Sequence, residues 1–280
     1  MSHLYRFTIG TFTAYIFNDG IINNKASKLF ATAPPKQLRQ SLTKYNLQPD
    51  AIPVGFNMAF LDTGKEKILI DTGVGHDTDS ETHGFLYENL AAIGVDFADV
   101  DTVLISHAHA DHIGCNTNED GYPLFPNARY LIWKDEWDYW TSANILKEHN
   151  HHTIAVRRNL LGLCDRMEAL TFEGCISPGV SVVTAFGHTP GHLAVHVKSE
   201  GEHFLYTADA FHHPLHISHP DWAYHSDVDY QQSLQSRLKL LHLAANTNAL
   251  VSGYHMTSPV PGRIQRHRDS FVWLTEEVAM

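Results

Sequence analysis

The stretch Ser106-His107-Ala108-His109-Ala110-Asp111-His112-Ile113-Gly114 puts four potential metal ligands within six residues. Imidazole and carboxylate both suit zinc, and steps of two, two and one cannot share a single helical face. The string follows the apolar run Thr102 to Ser106. It therefore reads as a loop leaving a strand, with His107 and His109 aimed at one ion and Asp111 and His112 turned toward a second. The bland alternative is a polar loop in a histidine-rich chain, because the 280 residues hold 21 histidines against 20 Lys plus Arg. The ordered HxHxDH spacing argues against chance.

Composition narrows the setting. An apolar fraction of 43% with 11% aromatics is too high for a disordered chain. A net charge of −11, with no block of Lys and Arg, argues against a nucleic-acid partner. The start Met1-Ser2-His3-Leu4-Tyr5-Arg6 lacks the basic and apolar regions of a secretory signal, and no window has the ~18 apolar residues of a spanning helix. Cys115, Cys164 and Cys175 form no CxxC pair, so no disulfide framework is expected. A cytoplasmic protein with no membrane partner is expected.

The elements that must position the string alternate between strand and helix patterns. Tyr5, Phe7 and Ile9, then Phe12, Ala14 and Ile16, alternate as strands, and Pro35 to Tyr45 reads as a short helix. Phe56 to Leu61 and Lys67 to Asp71 read as strands joined by a Thr63-Gly64-Lys65 turn, followed by a helix over 84–94. Ala128 to Trp133 is expected as a strand, 134–148 and 153–170 as helical. Val180–Phe186, Leu193–Val197, Phe204–Thr207 and Ala249 to Ser252 are expected as strands. The clearest helix runs from about Asp227 to Asn246, with Tyr230, Leu234, Leu238, Leu241 and Ala245 on its buried face and a capping box from Ser226 to Asp229. No repeat or linker divides the chain, so a single α/β domain over 1–280 is expected. Residues 1–50 form an N-terminal extension that packs on it or makes a dimer contact.

The HxHxDH string resembles the signature of the metallo-β-lactamase superfamily, and four further motifs follow the family's order. These are Asp71-Thr72-Gly73, Gly187-His188-Thr189-Pro190-Gly191-His192, Thr207-Ala208-Asp209 and Gly253-Tyr254-His255. The resemblance implies a four-layered αββα sandwich, two mixed β-sheets flanked by helices. It also implies two metal sites: His107, His109 and His188 for the first, Asp111, His112 and His255 for the second, and Asp209 bridging. Two Zn²⁺ per chain are expected, with Mn, Fe or Co as substitutes, leaving room for a bridging hydroxide. Cys115 stands where the family often has a second glycine, and reads as a small buried filler rather than a redox-sensitive neighbour.

The segment before the first core strands, the block from His212 to Trp222 and the Pro259-Val260-Pro261-Gly262 element resemble the branch of methyl parathion hydrolase and the acyl-homoserine lactonases. That resemblance implies a binuclear hydrolase of a lactone or small ester, including acyl-homoserine lactones or phosphotriesters, and a homodimer. The alternatives are a glyoxalase-II-like thioesterase, a β-lactamase and a low-turnover binding protein on the same scaffold. Asp111 and Asp209 are joined as catalytic candidates by His212, three residues after Asp209, where lactonase-like relatives carry a side chain over the metals; the resemblance implies that it contacts the substrate carbonyl or delivers a proton, the alternative being that it fixes Asp209 or a neighbouring loop. His213, His216, His219 and His225 read as solvated or structural, and His149, His151 and His152 as exposed. Trp133, Trp137 and Trp140 read as a core stripe rather than a substrate pocket.

Overall fold

The computed structural model describes residues 4–75 and 83–275, so Met1 to His3 of the polar start lie outside the described residues. The alternating N-terminal residues form β1 (Leu4–Ile9) and β2 (Phe12–Asn24), an antiparallel hairpin registering Phe7 with Ala14. Next come β3 (Ile52–Asp62), β4 (Lys67–Ile70), β5 (Thr102–Leu104), β6 (Arg129–Trp133) and β7 (Met167–Leu170). β8 (Gly174–Ser177), β9 (Val180–Thr184), β10 (Leu193–Ser199) and β11 (Glu202–Tyr206) follow, then β12 (Leu250–Ser252), β13 (Gly262–His267) and β14 (Ser270–Thr275). They build two mixed seven-stranded sheets, β1 to β7 in sequence order and β14 to β8 in reverse order.

The chain folds as two compact units, neither continuous in sequence. The first comprises the described residues up to Gly20 together with Phe56–Gly174; the second takes Ile21–Gly55 and the described residues from Cys175 onward. Within residues 4–50, β1 and β2 as far as Gly20 belong to the first unit, and the end of β2 with the helix Pro35–Lys44 to the second. In the first unit, β4, β5 and β6 run parallel and pair Ile70 with Leu104 and Leu104 with Leu131. Their side chains are buried on both faces, the pattern of a covered parallel sheet. In the second unit, β11 and β12 are the parallel pair, registering Tyr206 with Ser252. Val183, Leu205, Leu240, Leu241, Val251 and Ile264 form its core, each such side chain contributing about 1.5–3 kcal/mol by leaving water.

Three expectations fail here. The run 153–170 is helical only over His151–Asn159, because Met167–Leu170 pairs with β6, a tertiary partner that overrides the helical preference of Met, Glu, Ala and Leu. The long helix spans Tyr230–Thr247, but its buried stripe is Ser233, Ser236, Arg237, Leu240, Leu241 and Ala244, while Tyr230 is exposed. The apolar periodicity misplaced that face because an arginine is drawn inside by a buried partner. Asp229, not Ser226, caps the helix, its carboxylate accepting the Gln231 and Gln232 N–H groups. Among the described residues no helix is long and apolar enough to cross a membrane.

Candidate metal centre

In the first unit the parallel register explains why Asp71 and Ser106 meet. One residue beyond β4 and two beyond β5 emerge at the same sheet edge, the carboxyl end, where open α/β sheets place their sites. Asp71 adopts φ 65°, in the left-handed region, a strain that persists where the surroundings over-determine it. Its carboxylate accepts the Ser106 N–H at 2.7 Å, the Ser106 Oγ–H at 2.7 Å and the His112 Nδ1–H at 2.8 Å. Burial raises the Asp71 pKa, and His112 pulls it back. With its hydroxyl proton committed to Asp71, Ser106 Oγ accepts from His107 Nδ1 at 3.1 Å. Both His107 and His112 thereby present Nε2 lone pairs.

His107 Nε2 faces His109 Nδ1 at 3.0 Å, close to the ~3.3 Å that two ~2.05 Å bonds at a tetrahedral angle subtend. Asp111, partly exposed, brings Oδ2 to 3.8 Å from His112 Nε2. The glycine after the string is required, since a Cβ on Gly114 would stand 2.2 Å from the Gly75 nitrogen. Cys115 is buried, as expected of a filler.

The second unit repeats the device on β11 and β12. Asp209 and His255 each lie three residues beyond a strand end, and those ends are in register. The β9–β10 connection supplies His188. Three imidazole Nε2 atoms converge on Asp209 Oδ2: His255 at 3.2 Å, His188 at 3.4 Å and His212 at 3.4 Å. Each fixed ring is held from behind. His188 Nδ1 donates to Asp227 at 2.9 Å, and His255 Nδ1 donates to the Gly55 carbonyl at 2.9 Å. His192 donates from Nδ1 to the Ala185 carbonyl and accepts the Asp209 N–H at Nε2, both at 3.0 Å.

Arg237 and Asp227 lie beneath this cluster. The guanidinium pairs with Asp227 at 2.8 Å and donates to the Ala210, Pro220 and Trp222 carbonyls. Burial alone would raise the Asp227 carboxyl, but His188 and Arg237 outweigh it and hold it well below the usual carboxylate range.

His212 is 1% exposed and stacks on Tyr224 at 3.9 Å between ring centres. Neither of its ring nitrogens makes a hydrogen bond among the described residues, an arrangement that costs stability unless something else is bound. Burial lowers its pKa to about 4, against the pull of Asp209. Asp209, His212 and His255 offer ligand atoms within 4.8 Å of one another. The donor set therefore fits a divalent ion, and His212 joins the candidate ligands.

The structure sorts the spare histidines. His213 and His216 are buried, and His216 bonds the Leu29 carbonyl at 2.9 Å. His152 is not simply exposed; its ring stacks on His109 at 4.2 Å. Trp133 ends β6 while Trp140, buried, lies edge-on to His109, so the expected helical stripe is split between two elements. Asp227, Arg237 and Glu136 escaped the sequence reading: all three are charged residues whose burial no local pattern announces.

The family model described as "Metallo-beta-lactamase superfamily" matches residues 53–253. No curated protein matches the sequence. Among solved structures the chain is similar to AidC, a dizinc quorum-quenching lactonase, at 27% identity and TM-score 0.89 over 100% of this chain and 99% of that one. It is also similar to the hydrolase AbOPH of the beta lactamase superfamily, at 24% identity and TM-score 0.89 over 100% and 99%. A quorum-quenching N-acyl homoserine lactone lactonase aligns at 18% identity and TM-score 0.65 over 90% and 94%.

Proposed function

Since the chain belongs to the metallo-beta-lactamase superfamily, a family of metal-dependent hydrolases, we propose that it opens the ring of N-acyl homoserine lactones or closely related lactones at a binuclear centre. The carrying observation is the convergence of three imidazoles on Asp209 Oδ2, with their rear nitrogens fixed for His188 and His255. We assign His107, His109 and His188 to one ion, Asp111, His112 and His255 to the other, and Asp209 to both, as the sequence resemblance implies. Two divalent ions held there, zinc by the nature of the donors, would supply Lewis acidity for the scissile carbonyl and a water activated at neutral pH.

The chain's own residues orient and exclude. Asp71 and Asp227 fix the Nδ1–H tautomers of His112 and His188, leaving each Nε2 available as a ligand. Burial disfavours the charged form of His212, which suits it to donating a ring N–H to the substrate carbonyl or to ligation. A cavity of about 620 Å³ supports an acyl substrate, a size typical of small-molecule sites. Leu47, Leu215, Val260 and Trp273 give it apolar walls, and His213 and Met256, the chain neighbours of His212 and His255, also line it. AidC, similar along its whole length, is a lactonase, which favours this substrate over a thioester, β-lactam or phosphotriester. We further propose a cytoplasmic homodimer.

The test is acid release from a panel of those four substrate classes by zinc-loaded protein. The lactone should be turned over with the highest kcat/KM. No turnover of any of the four, with two metals bound, would sink the hydrolase reading of this site and leave a binding protein.

A further inference from the structure

Ala108 and Ala110 flank His109 and contribute no ligand of their own, yet their amides are both anchored by side chains. Ala108 N–H donates to Glu136 Oε1 at 2.9 Å, and Ala110 N–H donates to His152 Nδ1 at 3.1 Å. Neither acceptor belongs to the HxHxDH string. Glu136 sits in the first turn of the helix Lys134–Thr141 and is fully buried. Its Oε1 also accepts the Trp140 indole N–H at 2.7 Å, one turn along the same helix, which fixes the carboxylate's direction. His152 is the second residue of the helix His151–Asn159.

The rings complete the arrangement. Trp140 meets His109 edge-on at 5.6 Å, and His152 stacks on the same ring at 4.2 Å, so the two helices hold both the backbone around His109 and its imidazole. A loop outside regular structure has no ladder to take its amides, and a buried amide left unpaired is costly. Here the two amides are taken by side chains.

We infer that Glu136 and His152 are positioning residues that clamp the backbone on either side of His109 and so preset the His107 and His109 rings for the metal. The inference rests on the metal-centre assignment proposed above. Its chemistry is that of an acceptor: what matters at position 136 is an oxygen that receives the Ala108 N–H. Replacing it by a side chain of the same shape that still accepts should preserve the site, and deleting the acceptor should loosen it.

The test is Zn²⁺ affinity of the full-length apoprotein by competition with a chromophoric chelator, beside the visible absorption of the Co²⁺ form. Substrate is absent from both measurements, so the fate of the lactone assignment does not enter. Glu136→Ala should weaken Zn²⁺ binding about 10–100-fold and shift the Co²⁺ bands, Glu136→Gln should restore both to near wild type, and His152→Ala should weaken binding in the same direction by less. Folded Ala variants with wild-type affinity and spectrum would overturn the clamp, as would a Gln variant as weak as the Ala variant. If Glu136→Ala does not fold, His152→Ala decides: weakened binding supports the clamp, unchanged affinity and spectrum overturn it. Wild-type protein that binds no metal overturns the metal centre and the clamp together.

Discussion

The two ligand clusters, one in each unit, are built on the same backbone device and secured by opposite means. In the first unit, β4 and β5 end in register and deliver Asp71 and the HxHxDH loop to one sheet edge; in the second, β11 and β12 deliver Asp209 and His255. The first cluster is contiguous, four candidate ligands in six residues, and Asp71 reaches its partners one residue beyond a strand end. The second gathers His188, Asp209, His212 and His255 from 68 positions of chain (188 to 255) and depends on Arg237, a buried cation from the long helix. A short loop can be fixed by its own amides and neighbours. A dispersed set needs a charged anchor that binds several segments at once.

Losing a ligand should be the largest effect and should not distinguish the halves. His109→Ala and His188→Ala are each expected to lower kcat/KM for the lactone by at least about 10³-fold, since both remove an ion's hold rather than a contact. If only one variant is impaired, steady-state kinetics would show that the halves do not serve one centre.

Removing an anchor should separate them. Arg237→Met leaves the Asp227 carboxylate buried without its cation, a change worth about 3–5 kcal/mol, and chemical denaturation should register it. Ser106→Ala removes one of three donors to Asp71 and should cost about 1 kcal/mol. Equal losses would erase the contrast between a locally secured and a remotely anchored cluster.

Acid should act on the two units with opposite signs. In the second, burial lowers the His213 pKa to about 4, so the neutral ring's contribution is full above ~6.5 and disappears as pH falls toward 4, up to about 3 kcal/mol. In the first, burial raises the Asp19 pKa to about 7. The folded state then holds a proton that the unfolded chain releases near 3.8, and stability falls as pH rises from about 4 to 7. Stability curves against pH for His213→Gln and Asp19→Asn apoprotein should each lose one of these slopes, the histidine variant flattening below pH 6.5 and the aspartate variant above pH 4.

What was readable from the chain follows the same division. HxHxDH could be found because its chemistry is local, and the strands around it could be found because their apolar runs are short and bounded. Asp209, His188 and His255 were readable only through ordered motifs, not through any spacing between them. His212 was marked by its offset from Asp209, but whether it accepts, donates or binds a metal depends on burial. Arg237 illustrates the limit best: on the helix Tyr230–Thr247 its charge argued for the solvent face, and only the partner Asp227 makes the inner face correct. Met167–Leu170 failed for the related reason that pairing with β6 outweighs intrinsic helix preference.

The central claim is that the two clusters form one binuclear centre, and the metal content of dialysed protein tests it most directly. Elemental analysis of wild type, His109→Ala and His188→Ala should give two zinc ions per chain for the wild type and fewer for both variants, because each proposed ligand set draws on both clusters. One ion or none in the wild type, or a loss confined to one variant, would contradict it.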